Sequence, residues 1–594
     1  MNKPDQWSAI WKLAGIACAI LPATWFSGAV PALAAKDTLV IAIPGLPQGV
    51  DLDKHISPQT WTMAAQLDDW GLYWESGPYP YGTNAFYDPT NVPGFEYPVG
   101  YTTQKTAGGI MTGCDLSADG KDITYHLRPG VISAYGNEFT ADDVIWRFDR
   151  ERKRPIIYAL ISRLFNVDKA KYEKVDKYTV KLTNPDGAPL ACQGLTNFYY
   201  PWLDSTEIKK HMTADDEYGD NWIATHAGGF GAYKVTEWTP GKRAVMEANE
   251  HYWRGAPKIK KIIWLVVPES SGRLALLEKG QVDIAEELSP DEMLSLKDSQ
   301  VARPVAVRGN RLMWLILNNK MKPFDDVRVR QAINYLVPRD EIVKNVYHGM
   351  AKAWSGVISD VTPGYENLKP YDFDPDKAKK LLAEAGYADG FEADLLFSAG
   401  VPEMENLAVI LQSTAGKLGV KLNLKKLPVA AFSDTVQSKK AQMALWIDSP
   451  IQPDVNYVVN LVYSTGPLAL VNYDQFSDPA VDKLIETGAS IVDPKARLEH
   501  HKGVQAKIQE GAPMGYTVEP YFRIGLSRNI EGFHWYTTQY YLVSQMSFIK
   551  ERCMTRRCLT DPPSVRHLPR LARGFVLLAV GRGSRDQSRK LRKR

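Results

Sequence analysis

Residues 231–285, GAYKVTEWTPGKRAVMEANEHYWRGAPKIKKIIWLVVPESSGRLALLEKGQVDIA, constrain the fold more than any other stretch of this chain. Two alternating runs (Tyr233, Val235, Trp238; then Val245, Glu247) flank Pro240-Gly241, and their period of two predicts paired strands around a turn. A charged, glycine-bearing loop leads to the apolar run 262–267, which is short enough for a buried strand. Leu274, Leu276 and Leu277 then mark the apolar face of a helix closed by Gly280. None of these elements carries a nucleophile, a metal cluster or a phosphate loop.

The N-terminus reads as an export signal. Lys3 and Lys12 make a basic start, residues 13–23 are mostly apolar, and Ala32-Leu33-Ala34 is an A-x-A cleavage site. The apolar run is too short to span a bilayer, so residues 1–35 are expected to be removed and the mature chain to begin near Ala35 or Lys36. That places the protein in the periplasm, with no stable membrane insertion. The remaining length exceeds one ordinary core and predicts two or three lobes.

The formal charge of +3 hides a split. Residues 551–594 hold thirteen Lys/Arg against three Asp/Glu, a net +10, and the signal adds +1, leaving −8 on residues 36–550. An acidic body excludes a nucleic-acid partner, because backbone binding needs clustered positive charge on the fold itself. The basic tail is expected to be a disordered extension that does not set the function. Outside signal and tail only Cys114 and Cys192 remain. Both are placed in one lobe, and whether they bond is left open, with the balance slightly against it.

Three further runs complete the pattern. Residues 113–148 read as a hairpin turning at Ala118-Asp119-Gly120, with Ile123, Tyr125 and Leu127 inward. A helix follows with Thr140 as N-cap and Asp143 as its capping-box partner. Residues 310–341 read as a strand at 313–317 and then a helix with Val327, Val329, Ala332 and Ile333 inward. Asp374-Pro375 opens a helix ended by Gly386, and 395–397, 407–418 and 420–424 form a second strand–helix–strand unit. Strands alternating with helices argue an α/β lobe with a largely parallel sheet.

In this order the four runs resemble the extracytoplasmic solute-binding proteins of ABC importers, family 5, of peptide-, nickel- and opine-binding type. The resemblance spans about residues 36–541. It implies the α/β fold of a type II (cluster C) periplasmic binding protein, with two mixed-sheet lobes around a cleft and a smaller inserted domain. The expected division is a discontinuous first lobe (36–70, 200–305 and 515–550), an insert (71–199) and a second lobe (306–514). It also implies a monomer with no cofactor, metal or catalytic residue. Such a receptor captures a peptide-like solute by hinge closure and delivers it to the importer's membrane permease subunits; an opine or oligosaccharide ligand, or a sensor-coupled receptor, stays open.

The resemblance also points to site residues. Family members that bind peptides line the cleft with a W-x-x-D-x-x-x-P loop whose aspartate pairs with the peptide's α-amino group. Here the loop is Trp446-Ile447-Asp448-Ser449-Pro450-Ile451-Gln452-Pro453, with Ser449 at the aspartate position and Asp448 one residue early. Trp446, Asp448 and Ser449 are therefore candidate ligand contacts, with Asn456 and Tyr457 beyond them. Trp314, Asn318 and Asn319 are candidates on the strand around 313–317, and Phe230, in Gly229-Phe230-Gly231, is another. Residues 61–101 hold eleven aromatic residues, beginning with Trp61. They are read either as an aromatic wall for a stacking ligand or as the core of the inserted lobe.

Enzyme signatures are weak. His500-His501 face apart on a helix, and the S-x-x-K match at Ser547 stands alone. The sequence contains no H-E-x-x-H, Walker or G-x-S-x-G motif.

Overall fold

The computed structural model describes residues 36–549 apart from 55–57, 77–101, 154–166, 168, 189–190, 196–200, 310, 361, 363, 369–370, 400, 451–453, 492, 534 and 537–539. The expected signal and basic tail, and most of the aromatic-rich segment, lie outside these residues.

A seven-stranded sheet is ordered in space Ala302–Val307, Phe522–Ser527, Ile284–Glu286, Thr38–Ile43, Lys261–Val266, Arg243–Ala248, Tyr233–Thr239. Thr38–Ile43 runs parallel to Lys261–Val266 and to Ile284–Glu286, and the remaining pairs are antiparallel. The strand's alternation puts Leu39, Ile41 and Ile43 in the core on one face and Ala42 in the core on the other. There Ala42 shares a layer with Leu277 of helix Ser270–Glu278. The turn expected at Pro240-Gly241 closes with Lys242 N–H on the Thr239 carbonyl (3.0 Å), and Gly241 takes φ +69°.

A second, six-stranded sheet is ordered Ala351–Ala353, Gly515–Pro520, Leu312–Leu317, Met443–Asp448, Glu392–Ser398, Lys421–Leu427. Glu392–Ser398 is parallel to both of its neighbours. Leu312–Leu317, buried at every position, is antiparallel to both of its own. Two of the five strand pairings in this sheet are parallel and three antiparallel, which corrects the expectation of a largely parallel sheet. Parallel pairing needs a helical crossover, and Leu312–Leu317 instead arrives straight from the first sheet.

Strands change sheet twice: through residues 308–311, between Ala302–Val307 and Leu312–Leu317, and through Tyr521, between Gly515–Pro520 and Phe522–Ser527. The strand Gly515–Pro520, assigned from sequence to the first lobe, pairs in the second sheet, so the return crossing falls at Tyr521. In helix Val327–Tyr335 the first residue, Val327, is exposed, while Val329, Ala332 and Ile333 are buried together with Arg330.

A third, four-stranded antiparallel sheet comprises Met111–Leu116, Asp122–Leu127, Thr179–Thr183 and Lys171–Asp176. Helix Ala141–Arg152 follows with the capping box complete: Thr140 and Asp143 each accept from the other's end of the first turn. Cys114 and Cys192 are joined by a disulfide with Cα atoms 5.6 Å apart. The sequence balance was slightly against that bond. The fold brings the Met111–Leu116 strand beside Ala191–Gly194, 78 residues on, a proximity with no local sequence signal.

Candidate functional site

Leu312–Leu317 and Met443–Asp448 pair with Trp314 opposite Trp446 and Leu312 opposite Asp448. The period of two puts Trp446 and Asp448 on one face of their strand. Trp446 is half-buried, stacked on Phe432 (ring centroids 5.8 Å) and edge-on to Tyr473 (5.0 Å). Its Nε1–H lies 3.4 Å from Asp448 Oδ2, and Asp448 Oδ1 accepts the Ser449 backbone N–H at 2.7 Å. Among the described residues no cationic side chain forms an ion pair with Asp448, and burial raises its pKa above the ordinary carboxylate range.

Behind Asp448 lies an apolar crevice between the sheet and helix Val455–Tyr463. Leu312, Trp314, Val458, Leu461, Val462 and Met514 line it, and it offers about 20 Å³. Asp454 caps the helix by accepting Tyr457 N–H (3.1 Å). The one-residue offset of Asp448 from the family pattern therefore leaves its carboxylate at the edge of an apolar crevice.

The other candidates fall elsewhere. Asn318 and Asn319 sit past the opposite end of the Leu312–Leu317 strand from Asp448. Asn318 Nδ2 donates to the Lys439 and Ala441 carbonyls (3.2 and 3.0 Å), and its Oδ1 accepts from Lys320 N–H and Gln475 Nε2. Asn319 Nδ2 donates to the carbonyls of Leu317, Asp474 and Pro513 (2.7, 3.0 and 2.8 Å). Both side chains thus join chain segments at that end of the strand. Asn456 is buried within its helix, where its carbonyl and side-chain oxygens accept from Asn460 Nδ2, and Tyr457 is buried beside it. Phe230 packs on Phe139 (5.0 Å) inside the core. Trp61 belongs to the same core cluster, so at this position the aromatic-rich segment is interior packing. Ser449 is buried, and Trp314 meets the crevice. Ser547 Oγ donates to Glu531 (2.8 Å).

Sequence reasoning missed the charged groups at the crossovers. Arg308 donates to Asp360 and to Glu519 (3.2 Å). Arg311 Nη1 meets both oxygens of Glu287 at 3.1 Å, with its guanidinium over the Phe522 ring. Arg523 Nη2 donates to Glu403 at 2.5 Å. Glu286 accepts the Tyr541 hydroxyl (2.6 Å), and burial pushes its carboxyl up to about 7. The arginine at each end of the 308–311 crossover was the available signal; the acidic partners come from distant segments.

Among the described residues no group of His, Cys, Asp and Glu has the arrangement of a metal site, and no helix is long and apolar enough to cross a membrane. Two α/β lobes linked by paired short crossovers define a type II periplasmic binding protein. Solved structures bear out that fold. DppA of Helicobacter pylori in complex with the peptide STSA superposes with TM-score 0.73 at 20% identity, over 87% of this chain and 99% of its own. MoaA of A. tumefaciens R10 with mannopinic acid gives 0.72 at 23%, over 87% and 100%. The chain belongs to the bacterial extracellular solute-binding proteins, family 5, whose middle-region profile matches residues 105–469. It is similar to the dipeptide-binding protein of Escherichia coli K12, 26% identical over 72% of this chain and 84% of that one. It is likewise similar to heme-binding protein A of Haemophilus influenzae, 26% identical over 67% and 76%. This is a family of substrate-binding transport proteins.

Proposed function

We propose that this protein is the periplasmic receptor of an ABC importer, exported by a cleaved leader and working as a monomer. It captures a peptide-sized solute between its lobes and hands it, covalently unchanged, to the permease subunits. The observation that carries this reading is the pair of crossovers at 308–311 and Tyr521. Two bodies whose backbones cross at short connections can turn about them, and a solute that contacts both bodies favours the closed arrangement by its differential affinity. Trp446 contributes aromatic area and Asp448 a carboxylate that pairs with no cation among the described residues.

A peptide-like solute fits that carboxylate, and relatives named for dipeptides support the choice. An opine is the second reading, favoured by the relative solved with mannopinic acid. The test is a thermal-shift screen of peptides, opines and oligosaccharides, followed by small-angle scattering with the hits. A true solute at a hundred times its dissociation constant adds about 2.7 kcal/mol of stability, compacts the particle and is recovered intact. A saturated protein whose scattering stays that of the free form, or a solute converted to product, refutes the receptor reading.

A further inference from the structure

Helix Pro494–Glu510 buries a polar stripe. Arg497, His501, Gln505 and Gln509 recur every four residues along one face, and all four are buried. Gln505 Nε2 donates to the Gly364 carbonyl (2.7 Å) and its Oε1 accepts Glu366 N–H (3.2 Å). Gln509 Nε2 donates to the Ser355 carbonyl (3.3 Å). Arg497 Nη2 stands 3.5 Å from Asp454, the cap of helix Val455–Tyr463. His501 differs from the rest of the stripe. It is fully buried, and among the described residues neither ring nitrogen has a hydrogen-bond partner. Its ring lies against helix Pro479–Ser490 at Gly488, where an added Cβ would come within 2.7 Å of the imidazole Cε1. His500, on another face, donates Nε2–H to the Leu484 carbonyl (2.7 Å).

An imidazole so placed is unmet in either protonation state, but unequally. Neutral, it leaves one donor and one acceptor unpaired; protonated, it leaves two donors and a charge. The charged and titratable groups whose fields reach it are Asp454, His500 and Arg497. Asp454 is the anion among them, and it is committed to the Tyr457 N–H (3.1 Å) and to Arg497. Glu366, on the segment bonded to Gln505, pairs with Lys502 at 3.5 Å. Helix Pro479–Ser490 presents the Gly488 backbone to the ring. An apolar side chain would fill the same space with nothing unmet, so what histidine adds at this position is its titration.

We propose that His501 is an acid trigger: a proton taken up there unlatches helix Pro494–Glu510 from helix Val455–Tyr463 and from the segment that carries Ser355, Gly364 and Glu366. The helical layer behind the Trp446–Asp448 strand then loosens. Burial holds the folded pKa of His501 down, from 6.5 to about 4. The opened state therefore binds the proton first. The stability of this layer is full above pH 6.5 and is lost as pH falls towards 4. The device goes beyond the receptor reading and does not depend on which solute the cleft takes.

Hydrogen exchange of the purified full-length protein, without solute and at steps from pH 7 to pH 4, tests this. With the four-stranded sheet as internal reference, helices Val455–Tyr463 and Pro494–Glu510 should lose protection by about a hundredfold over that range. His501→Leu should hold their protection level with the reference, and His501→Gln repeats the test if the leucine variant folds poorly. In an NMR titration, the imidazole Cε1–H resonance missing from the variant should have a midpoint well below the ordinary 6.5. A midpoint at or above 6.5 overturns the trigger. So does an acid loss of protection that is equal in wild type and variant, or one confined to other helices. Each of these outcomes leaves the receptor reading standing, because no solute enters the measurement.

Discussion

Two kinds of polar residue at the ends of one strand pair carry opposite consequences. Asn319 spends its amide on three carbonyls from separate segments. Replacing it with alanine removes all three side-chain bonds, although the Asp474 carbonyl keeps the backbone N–H of residue 319 (2.7 Å), and Asn319→Ala should lose about 1–3 kcal/mol of stability in chemical denaturation with solute affinity unchanged. Among the described residues, Asp448 holds a backbone N–H and a long indole contact. Asp448→Asn should leave stability nearly intact and weaken an ammonium-bearing solute about ten- to a hundredfold by calorimetry, the scale of a charged hydrogen bond. Glu286 gives a pH signature. Burial raises its folded pKa from 4.5 to about 7, so the folded state holds a proton that the unfolded state has released. Its stability contribution is full below pH 4.5 and is lost as pH climbs towards 7. Glu286→Gln should therefore flatten the stability profile between those values, gaining up to about 3 kcal/mol at pH 8; an unchanged slope refutes the assignment. The short spacing of Trp446 and Asp448 was enough to read that they share a strand face, where the indole and carboxylate meet. The bonds of Asn318 and Asn319 were not legible, because their partners at 439, 441, 474, 475 and 513 lie far along the chain.

Elements were legible where the signal is local. The capping box at Thr140 and Asp143, the turn at Gly241 and the Asp374-to-Gly386 helix are each written within a few residues, and each forms as read. Features that depend on distant chain were not. Val327 falls on the apolar period of its helix yet opens it, where the axis still projects into solvent, and Arg330 is buried in the same helix by donating to the carbonyls of Ala512 and Gly511. The Gly515–Pro520 strand is buried throughout and reads alike for either sheet. The Cys114–Cys192 bond closes a separation of 78 residues, and loop-closure entropy of that length gives a large effect. Cys114→Ser with Cys192→Ser should lower stability by roughly 2–4 kcal/mol. The loss should appear as earlier unfolding of the four-stranded sheet in hydrogen exchange, with the six-stranded sheet protected as before.

Across the whole molecule, buried charge ties the two sheets together. Arg523 belongs to the first sheet and is anchored there by its Nε on the Leu288 carbonyl (2.7 Å). Glu403 stands on the first turn of Pro402–Gly416 in the second lobe. The two meet at 2.5 Å, 5% and 6% exposed, from positions 120 residues apart, which is why no sequence pattern announced them. Separating the lobes must wet both groups. Losing one partner of a buried pair costs about 3–5 kcal/mol where the survivor stays buried, but rotation about residues 308–311 and Tyr521 lets Arg523 reach water instead. Glu403→Gln should therefore open the solute-free protein rather than unfold it. His348–Asp291 also bridges the lobes, at 2.9 Å, yet its carboxylate is largely exposed, and a pair of that kind contributes only about 0–1 kcal/mol. The variant should show a larger solute-free radius of gyration and an unchanged Tm, with affinity lowered by the factor by which the closed fraction falls. A scattering curve and an affinity both identical to wild type would remove this ion pair from the control of closure.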